Sequence, residues 1–358
     1  MSDLIPMGSK HNNLSYKLLA TVSSMALMVS AEAALARDAG DSHPTFWIEA
    51  GGAFDELSSD SDLWLAPNTP AEQSNPTPPF GTLPKAGYDL DLKFTVAPHD
   101  SDWRFSVGLI YGRALRGPKT THDQTYKSTA LTFIRPPKYV PTNYDFANTT
   151  YRSSTSHLIL DFQVGKDVGL GMFGGKSTLN LGIRWAKLNE SSSGHMSGAT
   201  NASGQAGGTQ VIADIRATHS LDGIGPSVSW YADTPFAGSQ SDGLSLDWGI
   251  NAALLIGKQK TRTDLHTSSY SYRYYSQNNQ GRHQLTHSTP SLLRSKTVVA
   301  PNLGGFAGIS WRMPNAKVSV GYKADFFFNA IDVGINSRET ATRGFYGPFA
   351  TVSFGLGG

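Results

Sequence analysis

The chain has 358 residues, enough for one large barrel or two ordinary domains, and its formal net charge of +2 favours no polyanionic partner, nucleic acid included. Only 16 % of residues are charged, against 37 Gly, 14 Tyr, 17 Phe and 7 Trp, and no run of about 18 uncharged apolar residues occurs, which excludes a helical membrane bundle. There is no cysteine, so thiolate metal sites, a cysteine nucleophile and disulfides are excluded.

At the N-terminus Lys10 and Lys17 precede an apolar run, Leu18 to Val29, and Ala31-Glu32-Ala33-Ala34-Leu35-Ala36 follows. A basic region, a short apolar core and an A-x-A site read as a cleavable secretory signal. Cleavage falls after Ala33 or Ala36, with Ala36 favoured. The domain expectation is therefore a signal peptide over residues 1–36 and one outer-membrane β-barrel domain over residues 37–358.

From there the chain alternates with period two, the spacing of a strand whose two faces meet different surroundings. Over Thr45 to Phe54, Phe46, Ile48 and Ala50 share one face and Glu49 the other. A proline-rich stretch, Ser58 to Lys85, separates this from the clearest segment. There Tyr88, Leu90, Leu92, Phe94 and Val96 alternate with Asp89, Asp91, Lys93 and Thr95. A charge facing lipid at mid-bilayer costs about 2–4 kcal/mol, so the charges face inward. After a turn at Pro98 to Asp102, Trp103, Phe105, Val107, Leu109 and Tyr111 oppose Arg104, Ser106 and Gly108. The Gly-, Pro- and Thr-rich stretch Leu115 to Ser154 reads as a long loop.

Leu158, Leu160, Phe162 and Val164 then oppose Asp161 and Gln163, and Leu179, Leu181, Ile183 and Trp185 oppose Asn180, Gly182 and Arg184. The link between them, about Gly165 to Ser177, reads as a turn; its glycine-rich part, Gly169 to Ser177, lacks the spacing and the following helix of a phosphate-binding loop. The polar stretch Glu190 to Asp222 reads as a second long loop, with a short strand at Val211 to Arg216. Ile224, Pro226, Val228 and Trp230 follow, then Leu244, Leu246, Trp248, Ile250, Ala252, Leu254 and Ile256 against Ser245, Asp247 and Asn251. Lys258 to Lys296 reads as the longest loop. Val299, Leu303, Ala307, Ile309 and Trp311 oppose Asn302, Ser310 and Arg312. The closing pair sets Val318 to Phe328 against Lys317, Lys323 and Asp325, then, after a polar link at Asn336 to Arg343, Tyr346 to Leu356 against Phe349, Thr351 and Ser353.

The expected fold is all-β: an antiparallel transmembrane β-barrel of about ten strands (between about 8 and 12), with short periplasmic turns and long external loops. Both termini then lie in the periplasm. Trp47, Trp103, Trp230, Trp248 and Trp311 all fall at the expected periplasmic strand ends, as an aromatic girdle requires.

Several segments also carry a family likeness. Leu160-Asp161-Phe162-Gln163-Val164-Gly165, Gly223-Ile224-Gly225-Pro226, Val298-Val299-Ala300-Pro301-Asn302-Leu303, Gly321 to Ala330 and Gly344-Phe345-Tyr346-Gly347-Pro348-Phe349-Ala350, taken as a set, resemble the pore-forming outer-membrane proteins of the Legionella major outer-membrane protein type. The likeness covers most of the chain from about Thr45, external loops aside. It implies a porin-like protein of the Gram-negative outer membrane that passes small hydrophilic solutes. It also implies disulfide-linked assembly, which a chain without cysteine cannot form; a non-covalent homo-oligomer stays open. The chain ends Phe354-Gly355-Leu356-Gly357-Gly358, so Phe354 is left to serve as the terminal aromatic that the barrel assembly machinery reads.

The inward face collects Glu49, Asp89, Asp91, Asp161, Asp247 and Asp325, together with Lys93, Arg104, Arg184, Arg312, Lys317 and Lys323. These twelve charges are the expected pore lining. They either border a water-filled channel or pair across a narrow lumen and close it, since eight strands leave an interior filled by side chains and sixteen an open one. The resemblance favours the channel. The runner-up is a closed structural or adhesive barrel whose loops bind glycans or a host surface. In the stretch Thr261 to Lys296, Arg262, Arg273, Arg282, Arg294 and Lys296 stand among Tyr270, Tyr272, Tyr274 and Tyr275, a composition suited to an anionic glycan or to lipopolysaccharide phosphates, though equally to a solvated loop. A barrel hydrolase is the third reading: Asp89 and Asp91 with one of His122, His157, His283 or His287 opposite. No nucleophile spacing or metal-ligand cluster supports it, so no enzyme, cofactor or metal is expected.

Overall fold

The computed structural model describes residues 46–60, 84, 86–98, 102–128, 142–169, 176–200, 209–238, 242–275, 279–334 and 338–356. The expected signal segment, residues 1–36, lies outside them. Ten strands are present: β1 (Phe46–Ser59), β2 (Ala86–Val96), β3 (Trp103–Ser128), β4 (Thr142–Asp167), β5 (Lys176–Thr200), β6 (Thr209–Gly238), β7 (Gly243–Tyr275), β8 (Asn279–Met313), β9 (Ala316–Asp332) and β10 (Thr340–Leu356). Each pairs antiparallel with its sequence neighbours and β1 closes on β10, so the sheet is a closed barrel without edges.

The register sets the strand tilt. Followed perpendicular to the strands, the ladder starting at Phe46 passes Val96, Phe105, Val164, Leu181, Val228, Ala252, Leu303, Phe326 and Gly344 and returns to β1 at Ser58. The displacement from position 46 to position 58 is a shear of twelve residues for ten strands, which tilts the strands by roughly 40° from the barrel axis.

Alternation separates the two faces as the sequence requires. Leu181, Ile183, Ile224, Ile250, Ile256, Val299, Val320 and Tyr322 stand more than half exposed on the outside, while Ser227, Ser229, Asn180 and Arg184 are buried within. On β8 the outward apolar row runs from Val299 to Trp311, which at about 3.3 Å per residue and this tilt rises roughly 30 Å, the depth of a hydrocarbon core. Trp103, Trp230, Trp248 and Trp311 lie on this outward set near the end where the chain enters, and Trp230 meets Trp248 edge-on at 5.1 Å. Trp47 is a correction: it lies at that end but pairs with Thr95 and Gly355 in the inward-facing set that holds Glu49, one residue out of phase with Phe46 and Ile48. At the opposite rim Phe54, Tyr88, Tyr111, Trp185 and Tyr346 form a second outward aromatic ring.

The three stretches expected as loops are largely strand. β3 and β4 stay paired out to Ser128↔Thr142, β5 and β6 to Ala199↔Gln210, and β7 and β8 to Tyr275↔Asn279. Val211 to Arg216 is part of the unbroken β6. β7 and β8 reach 33 and 35 residues, against the 9–11 or so that a tilted strand needs to cross a bilayer. Beyond the lipid both faces of a hairpin meet water, so serine, threonine and tyrosine occupy both faces and no hydrophobic alternation marks the strand.

One short connection departs from the wall. β9 and β10 lose register between Arg343↔Phe327 and Ala341↔Ile331, and within this bulge Asn329 has φ of 51°. Past it alternation stops: Ala330, Ile331, Asp332 and Val333 are all buried in succession. The left-handed residue turns the end of β9 into the barrel mouth. Asn329→Gly is expected to keep stability within about 0.5 kcal/mol, whereas Asn329→Val should cost roughly 1–3 kcal/mol by forcing a β-branched residue into that conformation. Urea unfolding of the lipid-refolded barrel checks both.

Candidate functional site

The inward side chains meet across the barrel in successive layers. Nearest the chain-entry end, Lys317 Nζ lies 2.5 Å from Asp247 Oδ2 and 3.1 Å from Asp233 Oδ2, and Arg312 bonds Asp233 as well. Above this, Lys93 on β2 reaches the Tyr231 ring on β6, 4.6 Å from its centroid, and Tyr231, Phe306 and Phe349 form a chain of rings, each 5.8 Å from the next. The central layer is ionic. Arg184 on β5 grips Asp161 with two hydrogen bonds of 2.8 Å, donates at 2.8 Å to Asn251 on β7 and also bonds Asn302 on β8. Asn302 in turn donates to Asp325 at 2.5 Å. Lys323 on β9 spans to β2, where it lies 2.9 Å from Asp89 and 3.0 Å from Asp91. Apart from the Arg184–Asp161 pair, which joins the neighbouring strands β5 and β4, these contacts reach strands that are not the cation's neighbours and tie separate parts of the wall together.

His157 Nε2 stands 3.0 Å from Asp89 Oδ1, and Phe345 packs on the imidazole with centroids 4.2 Å apart. Gly112 is required beside them, because a Cβ there would fall on both Asp89 and the His157 ring. Asp55, Asp89 and His157 bring their ligand atoms within 4.8 Å of one another, a spacing a cation would accept. The ammonium of Lys323 already supplies positive charge to Asp89 there, which fits an internal salt bridge better than a metal site.

The next layer is apolar: Phe327, Ile331, Leu188, Leu221 and Leu255 are at most 1 % exposed and pack with Ile159 and Phe345. Above it Arg343 on β10 meets Glu190 on β5, five strands away in either direction. Its Nη2 donates at 2.9 Å, its Nε also bonds the carboxylate, and both side chains are 1 % exposed. The inward-turned end of β9 lies over this. The Asp332 carbonyl accepts from Thr261 Oγ1 at 2.9 Å and is bonded by His219, the Asn329 carbonyl accepts from Gln259 Nε2 at 3.1 Å, and Arg294 Nε donates to Asp332 Oδ2 at 3.0 Å. Thus β6, β7 and β8 all hold this segment.

The sequence-derived lining set can now be placed. Glu49 accepts from Ser353 Oγ at 3.0 Å, and Asp89, Asp91, Lys93, Asp161, Arg184, Asp247, Arg312, Lys317, Lys323 and Asp325 have the partners just given. Arg104 has no ion pair among the described residues. Of the four candidate histidines His157 meets Asp89; the side chains of His122, His283 and His287 lie outside the described ones. Sequence reading missed Asp55, Glu190, His219, Asp332 and Arg343 as lumen groups. Continuing the inward parity from Ser353 and Phe349 would have reached Arg343, and from Arg184 would have reached Glu190, had those residues not stood at expected loop boundaries.

No protein-family model matches the chain, and no curated protein matches it. Among solved structures, the translocator domain of the autotransporter NalP from Neisseria meningitidis aligns over 96 % of this chain and 97 % of its own at 10 % identity, with a TM-score of 0.27. The transport unit of the autotransporter AIDA-I from Escherichia coli aligns over 93 % and 98 % at 8 % identity (TM-score 0.26), and a TodX monoaromatic hydrocarbon channel mutant over 87 % and 92 % at 9 % (TM-score 0.24). At these scores the likeness adds nothing to what the strand register already shows.

Removing one partner of a buried ion pair leaves an uncompensated charge in a dry interior. Glu190→Gln is therefore expected to destabilise the barrel by about 3–5 kcal/mol, and the double change Arg343→Met with Glu190→Leu by much less. Urea midpoints in lipid vesicles compare the two.

Proposed function

We propose that this protein is an integral barrel of the Gram-negative outer membrane, closed along its axis at rest, which works through its outward-facing surface and tall external hairpins. The single observation that carries the reading is the Arg343–Glu190 bridge across the full width of the barrel, buried directly above an apolar layer. Ions crossing that mainly apolar layer would lose most of their hydration for few polar groups in return. The outward apolar belt, bounded by aromatic residues at both rims, supports the membrane setting, and the basic N-terminal stretch supports export.

A gated channel for small hydrophilic solutes is the second reading, and the inward-turned end of β9 favours it. That segment keeps its pairing with β10 but has left β8, and side-chain hydrogen bonds and one ion pair hold it across the mouth; the polar layers beneath it continue toward the periplasmic end. The resemblance to pore-forming outer-membrane proteins points the same way.

Planar-bilayer conductance of the refolded protein separates the two, with heat-modifiable gel mobility as the check of folding. A closed barrel gives a silent bilayer for both the native chain and the variant Thr261→Ala with Arg294→Ala. Discrete steps that appear only in the variant establish the gated channel; steps from the native chain overturn the closed reading. If steps appear, neutralising Lys93 and Arg104 is expected to shift ion selectivity toward cations.

A further inference from the structure

On the outer wall of β4 to β8 the ladder changes character within one row. The row Leu160, Trp185, Ile224, Ile256 and Val299 is apolar, and the last three of these are more than half exposed. The next outward row, two residues toward the external end, is Leu158, Lys187, Asp222, Lys258 and Thr297. Above that come Ser156, Asn189, Ser220, Lys260 and Ser295. From this last row outward to Ser154, Ser191, Thr218, Arg262 and Leu293 the wall is concave, a hollow of about 520 Å³, within the range of small-ligand sites, with Lys258 and the apolar row just below its lower edge.

Its charge is unbalanced. Asp222 is the cross-strand neighbour of both Lys187 and Lys258, yet its carboxylate accepts from Trp185 Nε1 at 2.8 Å. Asp264 is held by Arg262 at 3.0 Å and by the Ser291 hydroxyl, and Glu190 turns inward to Arg343. Every carboxylate near the hollow is thus engaged, while Lys187, Lys258 and Lys260 have no ion pair among the described residues. Hydroxyls and an amide surround the free ammonium groups, and exposed isoleucine and valine lie directly beneath. An occupant matching this sequence of surfaces is an amphiphile with phosphate and sugar hydroxyls above and acyl chains below.

We propose that this hollow binds the phosphorylated saccharide headgroup of an outer-leaflet glycolipid, with Lys258 and Lys260 on its phosphate and its acyl chains against Ile224, Ile256 and Val299. The inference rests on the membrane setting proposed above but not on whether the lumen opens. A soluble anionic glycan would have no use for the apolar row. The hollow faces sideways into the surrounding leaflet, not up toward the medium.

The test uses the full chain refolded in detergent, with deep-rough lipopolysaccharide, the same lipid with its phosphates removed, and the phosphorylated saccharide freed of its acyl chains. Retained lipid is counted by native mass spectrometry, and Trp185 fluorescence reports occupancy beside it. Affinity for the intact lipid is expected to fall about tenfold or more on dephosphorylation and in Lys258→Glu with Lys260→Glu, and to recover in the double arginine variant. The deacylated saccharide should bind at least tenfold more weakly than the lipid. Equal binding of the phosphorylated and dephosphorylated lipids, or of native and Glu variants with heat-modifiable mobility intact, overturns the site; so does a deacylated saccharide that binds as well as the lipid. Lys260→Gln serves if the double Glu variant does not fold. A chain that shows no heat-modifiable form and no vesicle insertion fails the membrane reading itself, a separate result.

Discussion

The structure depends on the need to neutralise charge inside a narrow, closed barrel. Period-two alternation in a lipid-facing sheet sends every ionisable side chain inward, and ten strands leave too little room for each to keep a hydration shell. The charges must therefore find one another across the axis. Lys323 with Asp89 and Asp91, Arg184 with Asn302, and Arg343 with Glu190 are results of that single constraint, while Arg184 also pairs with Asp161 on the strand beside it. Each cross-axis contact also braces opposite walls, so the groups that threaten the fold when alone hold its cross-section when paired.

The layers are not equivalent. The lower ones are polar and aromatic, with Lys93 and Tyr231 facing each other, whereas the upper one is made mainly of Phe327, Ile331 and leucines, with the buried His157 and Gln259 beside Leu188 and Leu221. A mainly apolar layer in a lumen is a barrier because it offers an ion little in exchange for water. The end of β9 that covers it is fixed by backbone carbonyls accepting from Thr261, Gln259 and His219. Such carbonyls at a bulge need new donors, and β6 and β7 supply them.

Outside the barrel the same physics runs in reverse. Below the rim, hydrocarbon excludes charge from the outward face; above it, lysine and serine appear in the first rows beyond the hydrocarbon. The change at Trp185 and Ile224 marks where the solvent changes, and the hollow above it combines the two kinds of surface an amphiphile needs.

The sequence by itself determined the strands that cross the membrane, the inward facing of the charges and the closed antiparallel order, because lipid imposes a strict rule on every second residue. It did not reveal the external halves of β3 to β8, since water imposes no such rule and a serine-rich strand reads like a loop. Trp47 was assigned by its end of the strand rather than by its parity, and only the ladder with Thr95 and Gly355 shows its face. Nor could spacing along the chain show which charges pair: Arg343 and Glu190 lie on strands half a circumference apart, and their meeting follows from shear and strand number. The inward turn of β9 was equally hidden, because it follows from one left-handed residue, Asn329, and from His219, Gln259, Thr261 and Arg294 on β6, β7 and β8. Local alternation fixes which face a side chain takes; only closure of the barrel decides what it meets there.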